Sequence, residues 1–272
     1  MKPNEIQALE ALAKEIRILT IDEIGYLGVG HIGGAMSVVE ILTLLYHRHM
    51  RIDPANPAKA DRDRLVLSKG HAGPTLYAIL ARKGFFPLEW LHTLNKGGTK
   101  LPSHCDRTKT PGIDMSTGSL GQGISAAVGI ALGMRMNKLD ARTYCVIGDG
   151  ESNEGLVWEA AMCAAHYKLD NLIAFTDCNK LQIDGETKDV MHLGDLVAKW
   201  QSFGWNAVMV NGHDFAAMEA AIAQATSSNG KPSMIVLDTI KGKGCSFCEG
   251  QATNHNLAYT MDQAREAIAA LG

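Results

Sequence analysis

Apolar residues recur every three to four positions at the start of the chain. Ile6, Leu9, Leu12, Ala13, Ile16, Leu19 and Ile24 lay one stripe along a helix over 4–24. The glycine-rich segment GYLGVGHIGG follows, and SVVEILTLLYHRHM then predicts a second helix, with Ser37 as its N-cap and Glu40 at the capping-box position. RIDPANPAKADRDR is polar and proline-containing, a loop, and a third helix over 74–83 comes after LSKGHAGP. Between residues 84 and 121 only two short helical turns interrupt an irregular stretch. A loop of such length in a compact domain is uncommon unless it carries function. It ends in a helix over 122–136, where Ser125, Ala126, Ala127, Gly129, Ala131 and Gly133 permit close packing.

Beyond that helix the rhythm changes. TYCVIGD, NLIAFTD, NAVMV and SMIVLDT are continuous apolar runs, alternating with helical patterns at 155–167, 192–203 and 214–227. Strands apolar on both sides and separated by helices predict an α/β fold, a parallel sheet covered by helices on both faces. No linker or composition break divides the chain, so residues 1–272 read as a single domain with a helical N-terminal portion over about 1–50.

Composition changes this picture only by exclusion. With 46% apolar residues, 20% charged residues and a formal charge of -3, nothing points to a nucleic-acid surface or an anionic membrane. No apolar run approaches the length of a membrane span. MKPNEIQALEALAKEIRI is an amphipathic helix rather than a secretory signal, so a cytoplasmic, reducing setting is expected. Cys245 and Cys248 form a lone CxxC with no second pair to complete a zinc site.

Three glycine-containing loops carry the candidate chemistry. Gly28–Gly33 matches GxGxxG, but a helical pattern precedes it where a dinucleotide fingerprint needs a strand. Gly118-Ser119-Leu120-Gly121-Gln122-Gly123 opens a helix, where glycines serve tight packing or bring backbone N–H groups to an anion. The third loop, GDGESNEG, places Asp149 at the end of a buried strand, and Asp177 and Asn179 end the next strand. Adjacent strand ends bring Asp149 and Asn179 to one edge, where a carboxylate, an amide oxygen and a backbone carbonyl form a sparse oxygen shell. Such a shell suits a hard divalent cation bridging to phosphates. A turn aspartate bonded to nearby backbone is the alternative for Asp149. Glu151 is expected to face solvent, and Glu154 to begin a helix, where the dipole favours a carboxylate.

GDG followed after some thirty residues by Asn is the thiamine diphosphate motif. Together with GHIGG, DRDRLVLSKGHAG, PGIDMSTGSLGQG, KLDNLIAFTDCNKLQIDG, KWQSFGW, NGHD and KGKG, it makes the chain resemble the transketolase family from about residue 25 to 250. More narrowly, it is similar to the N-terminal subunit of split transketolases. The resemblance implies a thiamine diphosphate-binding fold. It makes Asp149, Asn179 and the Leu181 carbonyl ligands of magnesium, with calcium or manganese as alternatives. Gly118, Leu120, Gly150 and His71 then border the cofactor, and Glu154 belongs to a carboxylate network where subunits meet. His31, His71, His104 and His255 become the catalytic histidines. His47, His49, His92, His166, His192 and His213 have no comparable placement.

The same resemblance implies transfer of a two-carbon ketol unit from a ketose, phosphorylated or otherwise anionic, to an aldose. It also implies a C-terminal partner subunit carrying the pyrimidine domain, in a heterotetramer active only when assembled. Two departures stand out: SHCD replaces the family's Gly-His-Pro around His104, and ATNHNLAYT lacks the usual tryptophan-histidine-glycine around His255. The rival readings are an enzyme subunit of the same cofactor class acting on an α-keto acid, and a noncatalytic scaffold.

Overall fold

The N-terminal amphipathic pattern becomes α1 (Pro3–Leu27) in the computed structural model, which describes residues 1–272. Pro3 starts it, where a missing N–H costs nothing, and Gly28 stops it at φ 91°, a left-handed conformation that glycine adopts without strain. The chain continues through β1 (Val29–Gly30), α2 (Ile32–Met36), α3 (Val39–Leu44), β2 (Arg64–Leu67), α4 (Gly73–Lys83) and α5 (Gln122–Met136). Then come β3 (Thr143–Gly148), α6 (Gly155–His166), β4 (Leu172–Cys178), α7 (Thr187–Val190), α8 (Leu196–Ser202) and β5 (Asn206–Asn211). The last elements are α9 (Phe215–Thr226), β6 (Ser233–Asp238), β7 (Leu257–Ala258) and α10 (Met261–Ala270).

Five strands form one wholly parallel sheet in the order β2-β3-β4-β6-β5, as the alternating pattern predicts. Side chains alternate across it and so feed two cores. Tyr144, Val146, Ile173, Phe175, Ile235 and Leu237 face the larger one, with residues of α1, α3, α4 and α9. Cys145, Ile147, Leu172, Ala174, Met234 and Val236 face the other, with α5, α6 and α8. The antiparallel β1–β7 pair ties the N-terminal glycine loop to the chain's last segment.

The structure corrects the sequence reading in several places. The second helix starts at Val39, passes into a π-helical turn over Leu45–His49, and is not capped by Ser37. Ser37 ends α2, and its hydroxyl donates to Asp177 at 2.7 Å. Glu40 is drawn to Arg17 and His213 instead of closing a capping box. A tertiary carboxylate or cation is the stronger partner, so the local motif yields. The strand β2 begins within what reads as a polar loop, because Arg64 supplies no apolar signal and only Leu65, Val66 and Leu67 are buried in it. The helix expected over 192–203 is confined to α8 by Asp195, whose carboxylate caps it through the Ala198 N–H at 3.0 Å. No helix is long and apolar enough to cross a membrane.

Candidate functional site

The carboxyl ends of β2, β3, β4 and β6 meet at one edge, where open α/β sheets bind ligands. Gly148 and Asp177 are register partners across β3 and β4, so Asp149 and Asn179 follow into the same crevice. Both line a cavity of about 380 Å³, together with Gly34, Lys69, His71, Leu120, Gly150, Glu154, Leu181, Lys241 and His255.

Asp149 is only 3% exposed, and its two oxygens accept from Gly150 N at 2.7 Å and Lys180 N at 2.6 Å. Burial and the neighbouring Asp177 charge push its carboxyl up to about 6, against the pull of those N–H groups. A carboxylate under that strain favours a cation beside it. Asn179 Nδ2 donates to Asp177 at 3.0 Å, while its Oδ1 accepts from Leu181 N at 3.2 Å. No three His, Cys, Asp or Glu side chains converge as a metal-holding group. Asp149 and Asn179 by themselves would fit a divalent cation only if water and the oxygens of a bound anion completed its shell.

The histidines come from four separate loops. His31 lies 5.5 Å from His71, 5.4 Å from His104 and 5.4 Å from His255, measured between ring centroids, and His71 lies 5.0 Å from His255. All four are partly buried. Burial, with repulsion from His104, lowers His31 to about 4; burial, then Lys241 and His31, lower His255 to about 4. Burial also lowers His104, and burial with Lys69 sets His71 well below the usual imidazole range. At neutral pH these are uncharged imidazoles, able to take a proton and return it. The SHCD loop keeps His104 in the cluster. Cys105 is buried behind it, and its carbonyl accepts from Thr117 N at 3.0 Å, one residue before Gly118. A side chain at Gly118 would meet the His104 ring at 3.1 Å, so glycine there serves close packing on the histidine.

Two lysines and one glutamate escaped the sequence reading. Lys69 is 1% exposed and pairs with Asp177. Lys241, 2% exposed, points at the Leu181 and Gln182 carbonyls from 3.4 and 3.5 Å, and burial plus Lys69 lower it to about 8. Each stands beside a glycine of SKGHAG or KGKG, which was the available signal: a lysine in a glycine loop at a strand end. Glu151 does not face solvent. It is 2% exposed and accepts from Ser68 Oγ, from Gly121 N at 2.8 Å and from Gly148 N at 3.0 Å. Desolvation outweighs the pull of these three donors and pushes its carboxyl up. Glu154 is exposed at the start of α6 and caps nothing with its side chain.

Two buried lysines beside the Asp149 and Asp177 carboxylates and the Asn179 amide, at the carboxyl edge of a parallel sheet, define the class: an α/β domain with a polar ligand-binding crevice. Comparison with known proteins narrows this. The family model described as "Transketolase, thiamine diphosphate binding domain" matches residues 8–272, and the chain belongs to the transketolase family. It is 56% identical over 263 residues to the 6-deoxy-6-sulfo-D-fructose transketolase subunit SqwG of Clostridium sp. (strain MSTE9), covering 97% of this chain and 96% of that one. It is 39% identical to an apulose-4-phosphate transketolase subunit of Phocaeicola vulgatus, covering 97% and 94% respectively. Among solved structures, Leishmania mexicana transketolase superposes with a TM-score of 0.90 at 32% identity, covering 97% of this chain. The chain spans 40% of that protein's length. The transketolase of Campylobacter jejuni gives a TM-score of 0.90 at 31% identity, with 97% and 43% covered. The chain is thus a transketolase-type, thiamine diphosphate-binding subunit.

Proposed function

We propose that this chain is the diphosphate-binding subunit of a two-chain, cytoplasmic transketolase that moves a two-carbon ketol unit from an anionic ketose to an aldose. The observation that carries it is a cluster of four histidines, two of which, His71 and His255, line the cavity that holds Asp149, Asn179 and Lys241, while His31 packs against both and His104 against His31. Asp149, Asn179 and the Leu181 carbonyl hold magnesium, or calcium or manganese in its place. Lys241 and the Gly150 backbone receive the diphosphate. When bound, thiamine diphosphate supplies the nucleophilic carbon through which a ketose carbon–carbon bond is broken and remade. His31, His71, His104 and His255 accept the proton that a substrate hydroxyl must lose during cleavage, and return it during transfer.

Two features support a partner chain. The relatives matched over nearly their whole length bear the word subunit in their names, and the whole transketolases are more than twice as long. Glu154 is exposed at the cavity's rim, where a second subunit can complete its contacts. We place that partner as a C-terminal subunit bearing the pyrimidine domain, in a heterotetramer. The 56% identity to a subunit named for 6-deoxy-6-sulfo-D-fructose, against 39% to one named for apulose 4-phosphate, favours a sulfonated ketose as donor.

The test is a donor panel on the co-purified complex, containing 6-deoxy-6-sulfo-D-fructose, fructose 6-phosphate, xylulose 5-phosphate and pyruvate. The sulfonated ketose should give the highest kcat/KM, with an aldose two carbons shorter as product. Preference for a phosphorylated ketose would overturn the donor assignment, and turnover of pyruvate alone would overturn ketol transfer. Metal-dependent cofactor binding without turnover of any donor would favour a scaffold.

A further inference from the structure

An amide has one end that binds a hard cation and one end that does not, so a ligand such as Asn179 works only when its oxygen faces the ion. What lies behind the amide decides which end that is. Asn179 Nδ2 donates to Asp177 Oδ2 at 3.0 Å, on the buried side of the crevice. Asp177 is itself immobilised. Ser37 Oγ and Lys69 Nζ donate to the same Oδ2 at 2.7 and 2.5 Å, and Thr239 Oγ1 donates to Oδ1 at 2.5 Å. Those three donors come from the turn after α2, the end of β2 and the end of β6, so the clamp depends on the whole sheet edge.

Three donors crowd Oδ2 and a fourth takes Oδ1, so both oxygens of the carboxylate are already bonded within the protein. Asp177 is 0% exposed, although it lies near the end of the strand that leads to the ligand. Turning the Asn179 amide over would set its oxygen against a carboxylate oxygen near 3 Å and its Nδ2 against the Leu181 N–H that now donates to Oδ1.

We propose that Asp177 is a positioning residue for the metal site. It pins the Asn179 amide with Oδ1 toward Asp149 and the cavity, while Lys69 cancels its charge so that the cation stays with Asp149. This rests on the metal site proposed above. It separates the two acidic strand ends into one that binds and one that aims. Groups that orient a ligand from behind are worth about 10- to 100-fold in metal affinity.

The experiment measures free Mn²⁺ by electron paramagnetic resonance during titration of the assembled two-chain protein at saturating thiamine diphosphate. Wild type is compared with N179A, with the charge-balanced pair K69M/D177N, and with T239V, which loosens the clamp while keeping Asp177. K69M/D177N should weaken Mn²⁺ binding about 10- to 100-fold, and T239V by several-fold, with assembly and cooperative melting retained. Wild-type Mn²⁺ affinity in both variants would overturn the proposal, as would a lowered melting midpoint with Mn²⁺ affinity intact. If the double variant does not fold, T239V alone decides. If wild type binds no Mn²⁺ in the presence of thiamine diphosphate, or N179A binds it as well as wild type, the metal site itself falls.

Discussion

His255 and its neighbours are held in a state that water would not give them at mildly acid pH. His31 and His255 titrate near 4 in the folded chain, against 6.5 when free. Between those values the unfolded chain binds more protons than the folded one, so stability rises with pH across that window. It is fully present above about 6.5 and is lost as the pH falls through about 4. The thermal midpoint should therefore drop on acidification from 6.5 toward 4, and H255N should flatten the slope; an unchanged slope would show that the ring is not desolvated. Lys241 carries the opposite kind of information. Burial and Lys69 hold it near 8, and a bound diphosphate would raise it again. Calorimetry at pH 8 in buffers of different ionisation enthalpy should show proton uptake with thiamine diphosphate. K241M should abolish that uptake and weaken binding about 10- to 100-fold, the worth of one charge-assisted hydrogen bond.

At the level of elements, Glu151 acts as a rivet. Its carboxylate joins Ser68 after β2, the N-cap of α5 at Gly121 and the end of β3 at Gly148. E151A leaves buried donors without an acceptor, and urea denaturation should show a loss of about 3 kcal/mol or more. E151Q, which keeps one acceptor oxygen, should cost less; equal costs would mean packing and not hydrogen bonding sets the penalty. The strands β3, β4, β5 and β6, and the helices α1, α4, α5, α6 and α9, follow from periodicity because tertiary burial and local pattern agree there. The breaks occur where they disagree. Ser37 carries a capping signature, yet a buried carboxylate from a strand 140 residues away claims its hydroxyl. Nothing within a window of a dozen residues announces that competitor. The pair β1–β7 is equally illegible, since two residues per strand are too few for any alternation.

For the whole molecule, the outstanding feature is apolar surface left on the α5–α6 side. Leu156 is 36% exposed beside the exposed Glu154, Met162 54% further along α6, and Met136 76% at the far end of α5. The solved relatives carry more than half of their length beyond the part this chain matches. We expect this side to be covered in the assembled enzyme. M162E should leave the subunit folded, because the side chain supports neither core, yet shift the complex to lower mass in size-exclusion chromatography. An unchanged mass would place the interface elsewhere.

Asp149, Asn179 and the glycine loops are legible in the sequence as polar groups at strand ends and glycine turns, whereas the four histidines are singled out by family resemblance. That β3 and β4 lie side by side is expected too, but the alternating pattern gives no reason to seat β6 between β4 and β5. Sequence could not say that Glu151 would be buried and Glu154 exposed, three residues apart in one acidic loop, since charge and spacing are the same in either arrangement. Nor could it pair Lys69 with Asp177 across 108 positions. Those choices belong to the tertiary structure, because a buried charge is tolerable only where the fold brings it a partner, and that partner comes from another strand.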